Sequence, residues 1–195
     1  MRSTVTSAEL LHGLADAQNR TVWQEYVDRY RPVLLEYGRR LGLKPDDAED
    51  AAQQTLVGFL EGYRAGRYDP SKGRLRQWLF GIASNVIRQA RRRPRAVQVA
   101  DTAGTDFFEK LPDELTLEAL WEEEWRTALL AHCLRLVRDE VEEQTYAAFD
   151  RFACQGRPAA EVARELAISE NAVYGCKRRV LERLRELASA LEDSW

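Results

Sequence analysis

The chain is poor in the residues that perform metal and nucleophilic chemistry. Its 195 residues include two histidines, His12 and His132, and three cysteines, Cys133, Cys154 and Cys176. No cysteines form a CxxC pair, so neither a zinc site nor a disulfide framework is expected. His132 and Cys133 are adjacent, but neighbours on a helix point about 100° apart and do not form a catalytic pair. No metal triad, phosphate-binding glycine loop or nucleophile elbow is present. The sequence therefore reads as a non-enzyme with no cofactor. No run of 18 apolar residues exists, which excludes a membrane-spanning helix. The first twenty residues lack a basic stretch followed by an apolar one, so they are not a secretory signal, and a cytoplasmic location is expected. Strand-like alternation bounded by turn residues is missing too.

Charge is abundant, and its distribution is uneven. The net charge is −3. Residues 1–100 carry 17 Lys and Arg against 11 Asp and Glu, whereas 101–195 carry 12 against 21. Between Arg64 and Arg95 there are ten bases and one acid, Asp69. Between Asp101 and Asp150 there are four bases and fourteen acids. A basic block attracts a polyanion and an acidic one repels it, so the nucleic-acid surface is expected in the first half.

Almost every segment has a helical period. Trp23, Val27, Tyr30, Leu34, Tyr37 and Leu41 mark one helix, with Pro32 predicting a kink or break. Pro45 and the acids after it start the next, which runs to about Tyr63. A turn-rich stretch, 65–73, precedes a helix from about Arg74 to Arg93, and Pro94 stops it. Residues 95–115 have no period and read as a linker. A long helix from Thr116 places Leu117, Leu120, Trp121, Trp125, Leu129, Leu130, Cys133, Leu134 and Val137 on one side. Three further helices follow. The fold class is all-α: two small helical domains, 1–94 and 116–195, joined by a flexible linker.

Two helices of the first domain have two faces each. In 45–63, Ala48, Ala52, Thr55, Leu56, Phe59, Leu60 and Tyr63 form the core stripe. Asp46, Asp47, Asp50, Gln53, Gln54, Val57 and Glu61 lie opposite. In 74–93, Leu75, Trp78, Leu79, Ile82, Val86 and Ala90 are the expected buried side. Asn85, Arg88 and Arg92 share another face, with Arg74 in the same sector and Arg91 at the helix end. Arginines grouped round an asparagine suit phosphates and a base edge.

These motifs, DAEDAAQQTL (47–56) and YDPSKGRLRQWLFGIASN (68–85) before an arginine-rich helix end, resemble region 2 of extracytoplasmic-function sigma factors. The resemblance implies that Asp47, Asp50, Gln53, Gln54 and Val57 bind core RNA polymerase, on the coiled coil of its largest subunit. It also implies that Arg74, Trp78, Asn85, Arg88, Arg91 and Arg92 meet the −10 promoter element. The turn at 68–74 would help to wall the pocket of a flipped-out base. Gln54 replaces the usual glutamate and Gly81 a frequent arginine. Thr55, beside Gln54, raises the idea that phosphorylation restores the missing charge. It points toward the core stripe, however.

Residues 157–185 have helix-turn-helix spacing. Val162, Ala163 and Leu166 face inward, Ala167 and Ile168 turn, Ser169 caps the second helix and Val173 closes the core. Ser169, Glu170, Asn171, Tyr174, Lys177, Arg178 and Arg179 form the outer surface, with Arg183 further along. The phrase QGRPAAEVA (155–163) and the helix after it are similar to sigma region 4, which implies −35 recognition and contact with the polymerase flap. Ala167 stands where the turn usually has glycine. The resemblance implies a promoter-directing subunit, with promoter DNA, core polymerase and an anti-sigma factor as partners. The acidic linker residues Asp101, Asp106, Glu109, Asp113 and Glu114 are compatible with mimicry of nucleic acid in the polymerase channel. A stand-alone helix-turn-helix regulator is the alternative, but it leaves the motifs of the first domain unexplained.

Overall fold

The computed structural model describes residues 7–16, 18–69, 71–92 and 113–192. Among them the regular elements are all helical: α1 (Ser7–Leu14), α2 (Arg20–Arg40), α3 (Pro45–Arg64), α4 (Leu75–Arg92), α5 (Glu114–Glu140), α6 (Glu143–Phe149), α7 (Ala159–Glu165) and α8 (Glu170–Glu192). A π-helical turn, Asp150–Cys154, extends α6. Pro94 and the linker up to residue 112, with Asp101, Asp106 and Glu109, lie outside the described residues. The chain divides into two compact units, the first running to Ala128 and the second beginning at Leu129.

The core of the first unit is aromatic. Asn19 caps α2, its side-chain oxygen accepting from the Val22 N–H, and satisfies a donor that the first turn leaves open. α2 continues through Pro32 without the expected break. The proline ring sits on the exposed side of the helix, where a missing hydrogen bond costs least. Tyr26, Tyr30 and Tyr37 are buried from α2, and Phe59 from α3. Tyr26 stacks on Phe59 at 5.1 Å, Phe59 meets Trp78 of α4 at 4.8 Å, and Trp78 stacks on Tyr68 at 5.0 Å. Burial pushes the Tyr26 and Tyr30 hydroxyls up, that of Tyr30 to about 12, so both stay neutral. Gly62 makes the α3–α4 approach possible, because a Cβ there would lie 2.9 Å from the Trp78 ring.

The buried side of α4 differs from the expected stripe. Leu75, Leu79, Ala83, Ser84 and Ile87 are buried, while Trp78, Ile82, Val86 and Ala90 are half-buried. Two neighbours press on this helix. The α3 side takes Trp78 and Ile82, which faces Gly58, and the first half of α5 takes Phe80, 5.8 Å from Trp121.

α5 serves both units. Asp113 starts it by accepting from the Thr116 N–H at 2.8 Å. Leu117, Trp121, Trp125, Leu129, Cys133 and Val137 are all buried. A spacing of four drifts by about 40° per step, so this stripe winds around the helix instead of keeping to one side. The units therefore divide inside α5, whereas the sequence reading groups all of 116–195. Leu130, expected on the inner side, is exposed.

In the second unit α8 packs on both α6 and α7. Ala148, Ala159, Val162, Ala163, Val173 and Cys176 form its core, with Phe152, Leu166 and Ile168 against them. Small residues at 159 and 163 allow the close crossing. The Gln144 amide donates to the Leu166 carbonyl and holds the end of α7, while Ser169 caps α8 through the Ala172 N–H. Between them Ala167 adopts φ 54°, a left-handed conformation that costs a residue with a Cβ about 1–2 kcal/mol. Replacing Ala167 by Gly is expected to stabilise this unit by about 0.5–1 kcal/mol, since strain relief exceeds the added backbone entropy. A rise in the urea midpoint at constant slope is the expected signature, and a fall contradicts this account of the turn.

Candidate nucleic-acid interface

Burial of one face of α3 and of α4 leaves two polar faces outward. On α3, Asp50, Gln53, Gln54 and Glu61 are exposed and Asp47 is half-exposed. Among the described residues, the side chains of Asp50, Gln53 and Gln54 make no hydrogen bond or ion pair. Val57 stands among them 41% exposed, an apolar residue inside a polar patch. This combination suits an interface centre with a polar rim. The five predicted residues do share one face. Thr55 does not join them: it is buried and its hydroxyl donates to the Ala51 carbonyl at 2.8 Å. A phosphate there requires the helix to leave the core, in keeping with the place of Thr55 on the core stripe.

On α4 the chain enters through an ordered turn. Asp69 accepts from the Ser71 N–H and hydroxyl at 3.0 and 2.7 Å, and these bonds hold its carboxyl below the usual carboxylate range. Arg74 precedes the helix, and the Gln77 side chain reaches back to its N–H, half of a capping box. At 100° per residue, Arg74, Gly81, Asn85, Arg88 and Arg92 fall within about 60° of one another. Arg74, Gly81, Asn85 and Arg92 are exposed, and Arg88 and Arg91 half-buried. Burial holds the Tyr37 hydroxyl above its usual range, opposed in part by its hydrogen bond with Ser84 and, less, by the nearby Arg88. Trp78 is set differently from the rest. It lies between Phe59 and Tyr68 as part of the core, with a partly open edge beside this face.

In the second unit the outer face of α8 carries Ser169, Glu170, Asn171, Tyr174, Arg178 and Arg179, all exposed. The π-helical turn brings Phe152 against this face. Tyr174 meets the Phe152 ring edge-on at 5.2 Å, and the Lys177 ammonium sits over it at 5.3 Å. The sequence reading did not include Phe152, and only the aromatic residue itself signals it. Arg183 departs from expectation. Its guanidinium is bidentate to Glu140 at 2.6 and 3.2 Å and also bonded to Glu186 at 2.9 Å, so it braces α8 instead of awaiting a phosphate. Among the described residues no cluster of three or more metal-ligating side chains occurs, and no helix is long and apolar enough to cross a membrane.

The family model of sigma-70 region 2 matches residues 26–97. That segment of the chain is similar to sigma-70 region 2. The polar faces of α3 and α4 both belong to it. Curated proteins give no match to the chain. The solved structure of CnrH in complex with the cytosolic domain of CnrY aligns with 93% of this chain and 96% of that one. The identity is 22% and the TM-score 0.37, a superposition too loose to bear on this chain.

Gly81 is an open position on the region 2 arginine face, since a Cβ there would meet nothing within 4 Å. A glycine inside a helix costs about 1 kcal/mol relative to alanine. Gly81→Ala and Gly81→Arg are both expected to raise the stability of the first unit by about 0.5–1 kcal/mol. Only Gly81→Arg adds a phosphate contact, steepening the salt dependence of single-strand binding by about 0.7 in log–log slope. Equal slopes for the two variants contradict the expectation that this face meets a nucleic-acid backbone.

Proposed function

We propose that the chain is a sigma factor of the extracytoplasmic-function type, which binds core RNA polymerase and directs it to promoters by binding alone. The observation that carries this reading is the pairing, within the region 2 segment, of an acidic and amide face on α3 with an arginine and asparagine face on α4. A protein that only binds DNA has no use for the first face.

In this reading Asp47, Asp50, Gln53, Gln54 and Val57 dock on the coiled coil of the largest polymerase subunit. Val57 supplies the desolvated centre and the carboxylates steer the encounter. Arg74, Arg88, Arg91 and Arg92 hold the phosphates of the −10 element, and Asn85 presents its amide to a base. Trp78 acts mainly by fixing Tyr68 and the turn before α4. The second unit supplies a region 4 in which α7 and α8 form the helix-turn-helix. The amino-terminal residues of α8, Ser169, Glu170, Asn171 and Tyr174, read −35 base edges, and Lys177, Arg178 and Arg179 hold the backbone. Each domain alone makes few base contacts, each worth about 1–3 kcal/mol of discrimination. Joining both to one polymerase makes the second contact intramolecular, so selectivity arises in the holoenzyme. The division into 1–94, a linker at 95–115 and 116–195 assigns these roles along the sequence, although the first half of α5 packs with the first unit. An anti-sigma factor covering the DNA faces is the regulator this class of protein accommodates, and the site of action is the cytoplasm.

Equilibrium binding to purified core polymerase tests the α3 assignment. Val57→Asp is expected to weaken binding by about tenfold or more, as loss of a buried interface centre does. Gln54→Glu is expected to strengthen it by about two- to fivefold, the worth of one rim charge. Wild-type affinity in Val57→Asp, with the fold intact by circular dichroism, rules out α3 as the docking face.

A further inference from the structure

The cations of α8 are held in two ways. Arg183 is tied to Glu140 and Glu186, and Arg178 lies 3.9 Å from Glu182. A carboxylate fixes a cation and cancels its charge at the same time. Lys177 has no carboxylate partner among the described residues. Its ammonium lies over the Phe152 ring, 5.3 Å from the centroid. A ring face attracts a cation through its quadrupole and leaves the positive charge without a counter-ion. Lys177 is therefore held in place and still able to meet an anion.

Tyr174 stands one turn before Lys177, and the same ring receives it edge-on at 5.2 Å. Gly175 beside it has no side chain, and a Cβ there would meet nothing within 4 Å. Tyr174 is thus the large side chain that projects from this part of the helix.

Phe152 owes its position to the π-helical turn Asp150–Cys154. The Gln155 N–H donates to the Asp150 carbonyl at 2.9 Å, and the Gln155 amide donates to the Asp150 carboxylate at 2.7 Å. On another flank Arg151 lies 3.4 Å and Arg157 2.8 Å from Glu165 of α7. None of the five residues of the turn is fully buried, so filling the core does not by itself call for this rare geometry. Phe152 rests against the core of the unit and meets Tyr174 and Lys177.

We propose that Phe152 is a positioning residue for sequence reading by α8, its ring setting the directions of Tyr174 and Lys177 before DNA is met. The inference rests on the proposed role of the second unit at the −35 element, and adds to it a residue outside the two helices of the helix-turn-helix. Side chains ordered in advance lose less freedom on binding. Tyr174 meets a base edge only at the right angle, and Lys177 anchors that register on a neighbouring phosphate. Without the ring a loose lysine still finds a phosphate, but the pair no longer ties one base to one register. Loss of Phe152 therefore lowers discrimination more than attraction to DNA.

Two measurements test it. The chain has four lysines, so lysine labelled at the ε-carbon gives few NMR signals in the full chain. The signal that Lys177→Met removes is expected upfield of a solvated lysine, shifted by the ring, and is expected to return to the solvated position in Phe152→Leu. An unshifted signal in the wild type, or a shift that survives in Phe152→Leu, overturns the proposal. For the second measurement, holoenzyme formed from core polymerase and the full chain selects from a library of random duplexes. A selected duplex is then compared with the same duplex whose upstream element is scrambled. Phe152→Leu is expected to lose about three- to tenfold in discrimination, with affinity for the scrambled duplex changed by less than about twofold. Phe152→Tyr keeps the ring and is expected to discriminate as the wild type does. If Phe152→Leu lowers the urea midpoint, Phe152→Met takes its place. Wild-type discrimination in the variant that lacks the ring overturns the proposal, as does equal loss in Phe152→Tyr or an equal fall in affinity for both duplexes. A wild-type holoenzyme that selects no upstream element removes the −35 reading itself, and the role of Phe152 with it.

Discussion

The aromatic packing between α2, α3 and α4 is the constraint on which the first unit depends. Tyr26, Phe59 and Trp78 lie in successive ring contacts of 5.1 and 4.8 Å, and each helix enters with one face only. Aromatic pairs have preferred geometries, so this contact sets the rotation of α3 and α4 about their axes as well as their distance. Once the apolar faces are committed, the opposite faces must point outward. The acids and amides of α3 and the arginines of α4 thus gain fixed positions from the packing of the opposite faces. Gly62 belongs to the same constraint, since a larger residue there pushes Trp78 off Phe59 and Tyr68.

The second unit solves a similar problem with smaller residues. Ala159, Ala163 and Val173 let α7 and α8 cross closely. The turn between them accepts a left-handed alanine, and the Ser169 cap and the Gln144 bond to Leu166 hold it in place. Salt bridges from Arg157 to Glu161 and Glu165, and from Arg183 to Glu140 and Glu186, brace the helix ends. That leaves the amino-terminal part of α8 as the outward surface, with Tyr174 52% exposed. Some of its cations are therefore structural, and charge alone does not distinguish them from those left for a ligand.

Much of this was legible in the sequence because it follows from local rules. The period of 45–63 separates the core stripe from the polar face correctly, and Ser169 and Val173 fall where helix-turn-helix spacing puts them. The failures have a common physical origin in contacts between distant segments. The α4 stripe is misjudged because two neighbours cover it, and the sequence shows no sign of the second. The spacing of four in α5 looks like one side of a helix, but its 40° drift lets each half serve a different unit. Trp121 and Trp125 fall on the apolar side that the period of α5 marks, but the period does not say which unit they enter. Pro32 is tolerated because its ring faces solvent, a fact that depends on which side α2 buries.

The central proposal is that two small binding units, one of them similar to sigma-70 region 2, confer promoter choice on an enzyme that lacks it. In vitro transcription from genomic DNA by core polymerase with and without the purified chain, followed by sequencing of transcript 5′ ends, tests it most directly. The account predicts a limited set of starts that appears only with the chain, each preceded by the same pair of short sequence elements at fixed separation. The same dispersed starts with and without the chain would contradict it.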